Sequence, residues 1–237
     1  MTENNKPFAM FFNASPRKDW NTAKALASAA VGAREAGAET ELVDLFDIQF
    51  TGCKSCFACK LKNATTGGVC ALRDGLRPVL ERARKADVLV LGSPVYFSNT
   101  TGAYRNLFER IVFPVFSYHF VDGVPQCDRS KAIETASIFT MGMTEEGMRQ
   151  MGYPAILESN EKSLSVVFGA SETLYIYDTY QFSDYSRYDV TAVREEDKRL
   201  RRDTHFTIDM DNARALGKRL VERAKTHGMT SQEPQAR

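Results

Sequence analysis

The sequence predicts a doubly wound parallel α/β sheet, and three observations carry that expectation. Short apolar runs alternate with stretches of helical periodicity along the 237 residues. One run, Ala-Asp-Val-Leu-Val-Leu-Gly at residues 86–92, is apolar enough for a central strand covered on both faces. Turn-forming residues close the strand candidates where a helix follows, as in successive βα units.

The first strand is Phe8-Ala9-Met10-Phe11-Phe12, too short for a helix and closed by Asn13, Ser15 and Pro16. A helix follows over residues 21–36, with Ala23, Leu26, Ala27, Ala30 and Val31 at helical spacing and Gly37 placed to stop it. Residues 39–44 form a short second strand. A cysteine-bearing connection leads to a helix over residues 72–85 that includes Leu76, Val79, Leu80 and Ala83, with Pro78 in its first turn. The run at 86–92 is the third strand and ends at Ser93-Pro94-Val95-Tyr96-Phe97. The helix over 101–116 presents Tyr104, Leu107, Phe108 and Ile111 on one face, and Pro114 limits its end. Residues 131–140 supply a fourth strand that closes on Met141-Gly142-Met143, and a fourth helical region opens at 145–151. Residues 163–168 and 173–177 compete for the fifth strand position. An aromatic segment, 175–188, precedes a last helix through Ala213, Leu216, Leu220 and Ala224. Residues 1–228 are expected to form one domain, and the polar tail at 229–237 is expected to be disordered.

Composition narrows the function classes. A hydrophobic content of 43% with 26% charged residues supports a substantial core. Lysine plus arginine number 31 against 30 acids, a net charge of +1, which argues against a nucleic-acid binder that neutralises phosphates. The mixed run at residues 194–202 reads as a solvated helix face. The first residues lack the apolar stretch of a signal peptide, and no run approaches the ~20 apolar residues of a membrane span. A soluble cytoplasmic protein is expected. Five cysteines, an odd number, do not resemble a secreted disulfide framework and raise thiol, metal or cluster chemistry instead.

In a doubly wound sheet ligands bind outside the carboxyl ends of the strands, which singles out the loops at 13–22, 93–99 and 141–144. The first loop leads into a helix N-terminus, whose unpaired N–H groups and partial positive charge attract an anion. Ser15, Asn21 and Thr22 can donate hydrogen bonds there, and Arg17 can add a charge-assisted one. Neither GxGxxG nor GxxxxGK[ST] occurs. The plainer reading is that Asn21 or Thr22 caps the helix and Ser15-Pro16 turns the chain. Tyr96 and Phe97 form an aromatic wall or pack in the core. Together the loops describe a pocket for a phosphorylated planar ligand, with FMN as the candidate.

The segments NASPRKDWNT, CKSCFACK, GGVCALRDGL and KADVLVLGSPVYFSNTTGAYRNLFER resemble the flavodoxin-like NADPH-dependent FMN reductase family, especially its iron-sulfur flavoprotein branch. The resemblance covers roughly the first two thirds of the chain. It implies a five-stranded sheet of order 2-1-3-4-5, here with a C-terminal helical extension. It also implies that Ser15, Arg17, Asn21 and Thr22 form the phosphate loop, with Trp20 among them as a further cofactor contact, and that Pro94, Val95, Tyr96, Phe97 and Ser98 run along the flavin ring. Met141 and Gly142 supply a third contact. Ala14 replaces the family's usual glycine and Trp20 a small hydroxyl residue, so one phosphate hydrogen bond is missing or falls to a backbone N–H. The activity implied is reduction of bound FMN by NAD(P)H, followed by electron delivery to a quinone, a flavin or another small acceptor. The cofactor carries that chemistry, so no catalytic residue is named and His119, His205 and His227 are given no role. No nucleic acid or membrane partner is expected, and a homodimer or higher homo-oligomer is.

Cys53-x2-Cys56-x2-Cys59, with Cys70 nearby, resembles cluster ligation more than the paired layout of a structural zinc site. The ten residues between Cys59 and Cys70 exceed the spacing usual in cluster-bearing relatives. Similar triplets occur in relatives without a cluster, and a helical conformation would place the three thiols on one side as small apolar groups. A [4Fe-4S] cluster, zinc and plain or redox-active thiols all stay open, with Cys127 outside the set. The alternative function is an iron-sulfur flavoprotein that carries electrons to a protein partner. A flavin-binding sensor is a third reading.

Overall fold

Alternating side chains along the first strand set the two layers of the core. In the computed structural model, which describes residues 6–127 and 131–230, strand β1 spans Phe8–Asn13. Ala9 and Phe11 pack with one helical layer, while Met10 and Phe12 pack with the other. Strand β3, Val88–Tyr96, does the same with Val88 and Val90 against Leu89 and Leu91. All eight of these residues are buried, each worth roughly 1.5–3 kcal/mol for the larger side chains.

Strand β2 is Glu39–Asp44, and a short β4, Asn99–Thr100, turns back antiparallel on the end of β3. A two-stranded hairpin, β5 at Phe120–Val121 and β6 at Val124–Pro125, stands apart from the sheet. Strands β7, Ile133–Thr140, and β8, Gly169–Ile176, complete it. The order β2-β1-β3-β7-β8 is parallel throughout and corresponds to the expected 2-1-3-4-5 for the five long strands.

Helices α1, Asn21–Glu35, and α6, Glu195–Thr230, cover one face. Helices α2, Arg77–Ala83, and α3, Gly102–Val112, cover the other together with α5, Tyr153–Phe168. A short α4, Glu145–Gln150, precedes α5. The α1–α6 contact is a backbone approach. A Cβ on Gly32 would lie 1.9 Å from the Arg214 carbonyl oxygen, and one on Gly217 would lie 1.9 Å from that of Ala29.

Several boundaries differ from the sequence expectations. Residues 163–168 end helix α5 instead of forming a strand, because Leu157, Leu164, Val167 and Phe168 recur on one buried helical face; Thr173 and its neighbours occupy β8. Helix α2 starts at Arg77, since residues 72–76 are used to anchor the cysteine-bearing connection. Strand β3 continues four residues past Gly92 into the β3–β4 hairpin. The last helix reaches Thr230, into the segment expected to be disordered, whose residues 231–237 lie outside the described residues along with 1–5 and 128–130. Among the described residues, no helix is long and apolar enough to cross a membrane.

Candidate functional site

The carboxyl ends of β1, β3 and β7 surround a cavity of about 260 Å³. Its floor is the N-terminus of α1. Trp20 stands at the N-cap with no side-chain capping bond, whereas α3 is capped by Thr101 and α4 by Thr144. The first intrahelical bond of α1 runs from Lys24 N to Trp20 O, 2.8 Å. The N–H groups of Asn21, Thr22 and Ala23 precede it and meet no acceptor among the described residues. Neither Asn21 nor Thr22 caps the helix, so these donors and the partial charge of the helix end are open to an anion.

The approach to this helix is fixed from beneath. Asn13 Oδ1 accepts from Ser15 N (3.0 Å), an Asx turn, while Asn13 Nδ2 donates to Asp44 Oδ1 at 2.7 Å. Ser15 Oγ accepts from Arg17 N at 3.1 Å. Thr101 donates to Ala14 O (2.9 Å), accepts from Tyr104 N (3.3 Å) and takes Ser93 Oγ as acceptor for its own N–H (3.0 Å). One threonine therefore ties the exit of β1, the end of β3 and the start of α3. Thr22 and Thr140 join hydroxyls across the cavity floor at 2.7 Å.

Of the expected contacts, Ser15, Arg17, Trp20, Asn21, Thr22, Pro94, Val95, Tyr96, Met141 and Gly142 line the cavity. Phe97 and Ser98 do not. They take left-handed backbone conformations (φ 48° and 68°) at the tip of the β3–β4 hairpin, which turns Phe97 wholly outward. Thr140, Met143, Tyr153, Thr179 and Gln181 complete the lining. The last two come from the aromatic segment, which crosses the mouth as a strap: Tyr180 O accepts from Trp20 Nε1 (3.1 Å) and Asn21 Nδ2 (2.9 Å), and Gln181 O accepts from Arg17 Nη1 (2.6 Å). Tyr180, Phe182, Tyr185 and Tyr188 pack ring on ring behind it. Two of the donors expected to meet a phosphate, Arg17 and Asn21, are thus engaged by the strap, and Ser15 Oγ donates to Arg17 O at 3.3 Å, which leaves the open amides of α1 as the unpaired anion-facing groups.

The charged run at 194–202 is not uniformly solvated. Lys198 is 4% exposed, pairs with Asp178 and donates to Gly142 O. Arg202 stacks over Trp20, Tyr180 and Phe206 with its carbon 5.1–5.9 Å from the ring centres. The segment's polar composition hides these two inward residues.

The second motif lies below α3. Cys53, Cys56, Cys59 and Cys70 line one small cavity of about 20 Å³ together with Phe113 and Pro114. Left-handed Ser55 and Phe57 (φ 50° and 54°) turn the loop between the thiols, so the triplet is not helical beyond one turn at Ala58–Lys60. Ser55 N donates to Cys53 Sγ at 3.4 Å and Cys53 N to Glu109 Oε2 at 3.1 Å. Burial pushes the Cys59 thiol up, and Cys53 and Cys70 add to the shift while Lys60 opposes it. Among the described residues, no three Cys, His, Asp or Glu side chains are grouped to hold a metal ion. Zinc needs its ligands about 2.3 Å from one point, whereas a four-iron cluster meets each cysteine at a separate corner. The surrounding loops are held by Arg110, whose side chain is fully buried. It donates to Asp74 Oδ1 (2.9 Å) and Oδ2 (2.5 Å), to Thr51 O (3.1 Å) and to Leu72 O (3.2 Å).

The comparisons with known proteins agree with this geometry. An iron-sulfur flavoprotein of Archaeoglobus fulgidus is 40% identical over 98 residues, 41% of this chain and 45% of its own length. An iron-sulfur flavoprotein of Methanosarcina thermophila is 33% identical over 98 residues, 41% of this chain and 49% of its own. The chain therefore matches about half the length of these curated relatives. A structure of NAD(P)H:quinone oxidoreductase from Methanothermobacter marburgensis superposes with a TM-score of 0.61 at 17% identity, covering 91% of this chain and 99% of that one. Azoreductase from Bacillus anthracis str. Sterne gives 0.58 at 13% identity, with 90% and 99% covered. At such identities the two structures establish the shared flavodoxin-like fold. The sequence model described as NADPH-dependent FMN reductase matches residues 9–127, half of the chain and the part that carries β1, the open end of α1, the four grouped cysteines and the β3–β4 hairpin, and the chain belongs to that family.

Proposed function

We propose that the protein is an FMN-dependent NAD(P)H oxidoreductase that passes electrons to a quinone, a free flavin or another small acceptor. The observation that carries this reading is the uncapped N-terminus of α1, opening on a cavity whose far wall is Pro94, Val95 and Tyr96. The residues fit a flavin mononucleotide: open amides beside Ser15 for the phosphate, an apolar and aromatic edge for the ring. Bound FMN would supply hydride acceptance and electron release. The chain's own part is to bind and orient. Asn21, Thr22 and Ala23 hold the anion through their N–H groups, and Tyr96 flanks the ring edge. The strap of Thr179, Tyr180 and Gln181 keeps water from the Trp20 side. A cytoplasmic homodimer is part of this reading, and Phe97 on the hairpin tip is the exposed side chain a second subunit would cover.

Purified protein is expected to be yellow or to take up added FMN, and then to oxidise NADPH or NADH with a quinone or free flavin present. A protein that binds no FMN would end this reading. That all four cysteines line one small cavity supports a second reading, in which a [4Fe-4S] cluster on Cys53, Cys56, Cys59 and Cys70 passes electrons to a protein partner. Anaerobic purification would then give about four irons per chain, and iron-free protein would exclude it.

A further inference from the structure

Lys198 lies in α6, beyond the segment matched by the family model, and does not line the cavity at the strand ends, yet among the described residues it is one of the most buried charged side chains. Its ammonium group joins two loop ends. It pairs with Asp178, a left-handed residue (φ 53°) just after β8, and donates to the carbonyl of Gly142 just after β7. The same two ends are zipped by backbone bonds: Met141 N to Ile176 O (3.0 Å), Asp178 N to Met143 O (2.8 Å) and Thr179 N to Met141 O (2.9 Å). Gly142 and Met143 line the cavity, while Lys198 and Asp178 stand outside it. A trans peptide points its C=O and the following N–H in opposite directions. Drawing the Gly142 carbonyl toward α6 therefore presents the Met143 N–H on the other side, and that N–H meets no acceptor among the described residues. Space is tight on the cavity side as well, since a Cβ on Gly142 would lie 3.3 Å from Gln181 Oε1.

We infer that Lys198 is a positioning residue that locks the Gly142–Met143 peptide so that a hydrogen-bond donor, not a carbonyl oxygen, faces the bound flavin. The inference rests on the FMN reading of the cavity. A fixed donor stabilises the electron-rich reduced ring more than the oxidised one, because it is aimed where charge develops and need not reorganise. If the peptide is free to turn, its carbonyl oxygen opposes the same charge. The consequence is thermodynamic: Lys198 raises the FMN midpoint potential without touching the cofactor.

The test is an equilibrium redox titration of FMN-loaded protein, with thermal melting of each apo-protein as a fold control. Lys198→Met is expected to weaken the hold on reduced relative to oxidised FMN about tenfold, which lowers a two-electron midpoint by about 30 mV. Lys198→Arg, which keeps donor and charge, is expected to hold the parent value. The double variant Lys198→Met/Asp178→Asn removes the buried pair without changing net charge and leaves no lone buried ion, so it guards against a folding failure. It is expected to show the same low potential as Lys198→Met. An unchanged potential in Lys198→Met would overturn the inference. So would a double variant that returns to the parent value, since charge alone would then account for the effect. A parent protein that takes up no FMN would remove the reading of the site on which the inference stands.

Discussion

The two motif-bearing connections of this molecule are held in opposite ways. The loop at 13–22 is fixed by many neutral contacts beneath it, from Asn13, Ser93 and Thr101, and its own helix end is left uncapped. The connection at 51–74 is tied by charged side chains: the buried guanidinium of Arg110 with its carboxylate partner Asp74, Glu109, which accepts from Cys53 N, and Lys60, which donates to Pro114 O. The first arrangement holds a shape and keeps donors unpaired, as a binding site requires. The second consumes much of its polar capacity internally and gathers four thiols around its cavity beside Lys54, Glu109 and Arg110. The difference suggests why one region is read as a cofactor cradle from geometry alone, while the other depends on what the cysteines meet.

That contrast can be broken most strongly at Asp74. Asp74→Ala leaves Arg110 buried without its carboxylate and is expected to destabilise the fold by about 3–5 kcal/mol, read as a lower urea midpoint, with FMN affinity of the folded fraction unchanged. The pair also sets a pH dependence. Burial pushes the Asp74 carboxyl up, but hydrogen bonding and charge from Arg110 outweigh it and hold the group below its ordinary value. A carboxyl lowered in the folded state binds fewer protons there than in the unfolded chain, so its stabilisation is present at neutral pH and is lost as pH falls through the lowered value. Denaturation midpoints from pH 7 downward are expected to fall in the parent and to fall less in Asp74→Asn.

At the other connection the expected loss is in binding. Ser15→Asp sets a carboxylate against the phosphate and is expected to weaken FMN binding on the order of a hundredfold, about 2.8 kcal/mol at 1.4 kcal/mol per tenfold, while Ser55→Asp beside the cysteines leaves it unchanged. Isothermal titration of both variants separates the two regions directly. Smaller effects belong to the scaffold. Gly217→Ala forces a methyl group into the Ala29 carbonyl and is expected to cost about 1–3 kcal/mol in thermal or urea unfolding. Thr101→Val removes a helix cap and the tie to Ala14, an expected loss of about 1 kcal/mol, with a larger proportional loss of FMN affinity than Gly217→Ala if the tie orients the phosphate loop.

Much of this was legible in the sequence because local signals coincide with the tertiary result. Val88, Leu89, Val90 and Leu91 bury on both faces of a central strand, and the three loops at strand ends do meet around one cavity. The misses have a common cause. Thr179 and Gln181 reach the cavity only because the chain doubles back from β8, which no local pattern announces. Lys198 sits in a run of charges whose composition says surface, and only packing against the β7 and β8 exits turns it inward. Residues 163–168 have the β-branched composition of a strand, and the helical period that overrides it appears only when Leu157 is counted with Leu164 and Phe168. The cysteine spacing was visible at once, but spacing does not report the left-handed turns at Ser55 and Phe57 that set all four thiols around one cavity.

Central to the proposed function is an anion site for the phosphate of FMN at the open end of α1. Parallel titrations of the apo-protein with FMN and with riboflavin, which has the same ring and no phosphate, test it most directly. FMN is expected to bind on the order of a hundredfold more tightly, a gap of about 2.8 kcal/mol at 1.4 kcal/mol per tenfold, and Ser15→Asp is expected to abolish the gap. Equal affinity for the two flavins would contradict the claim.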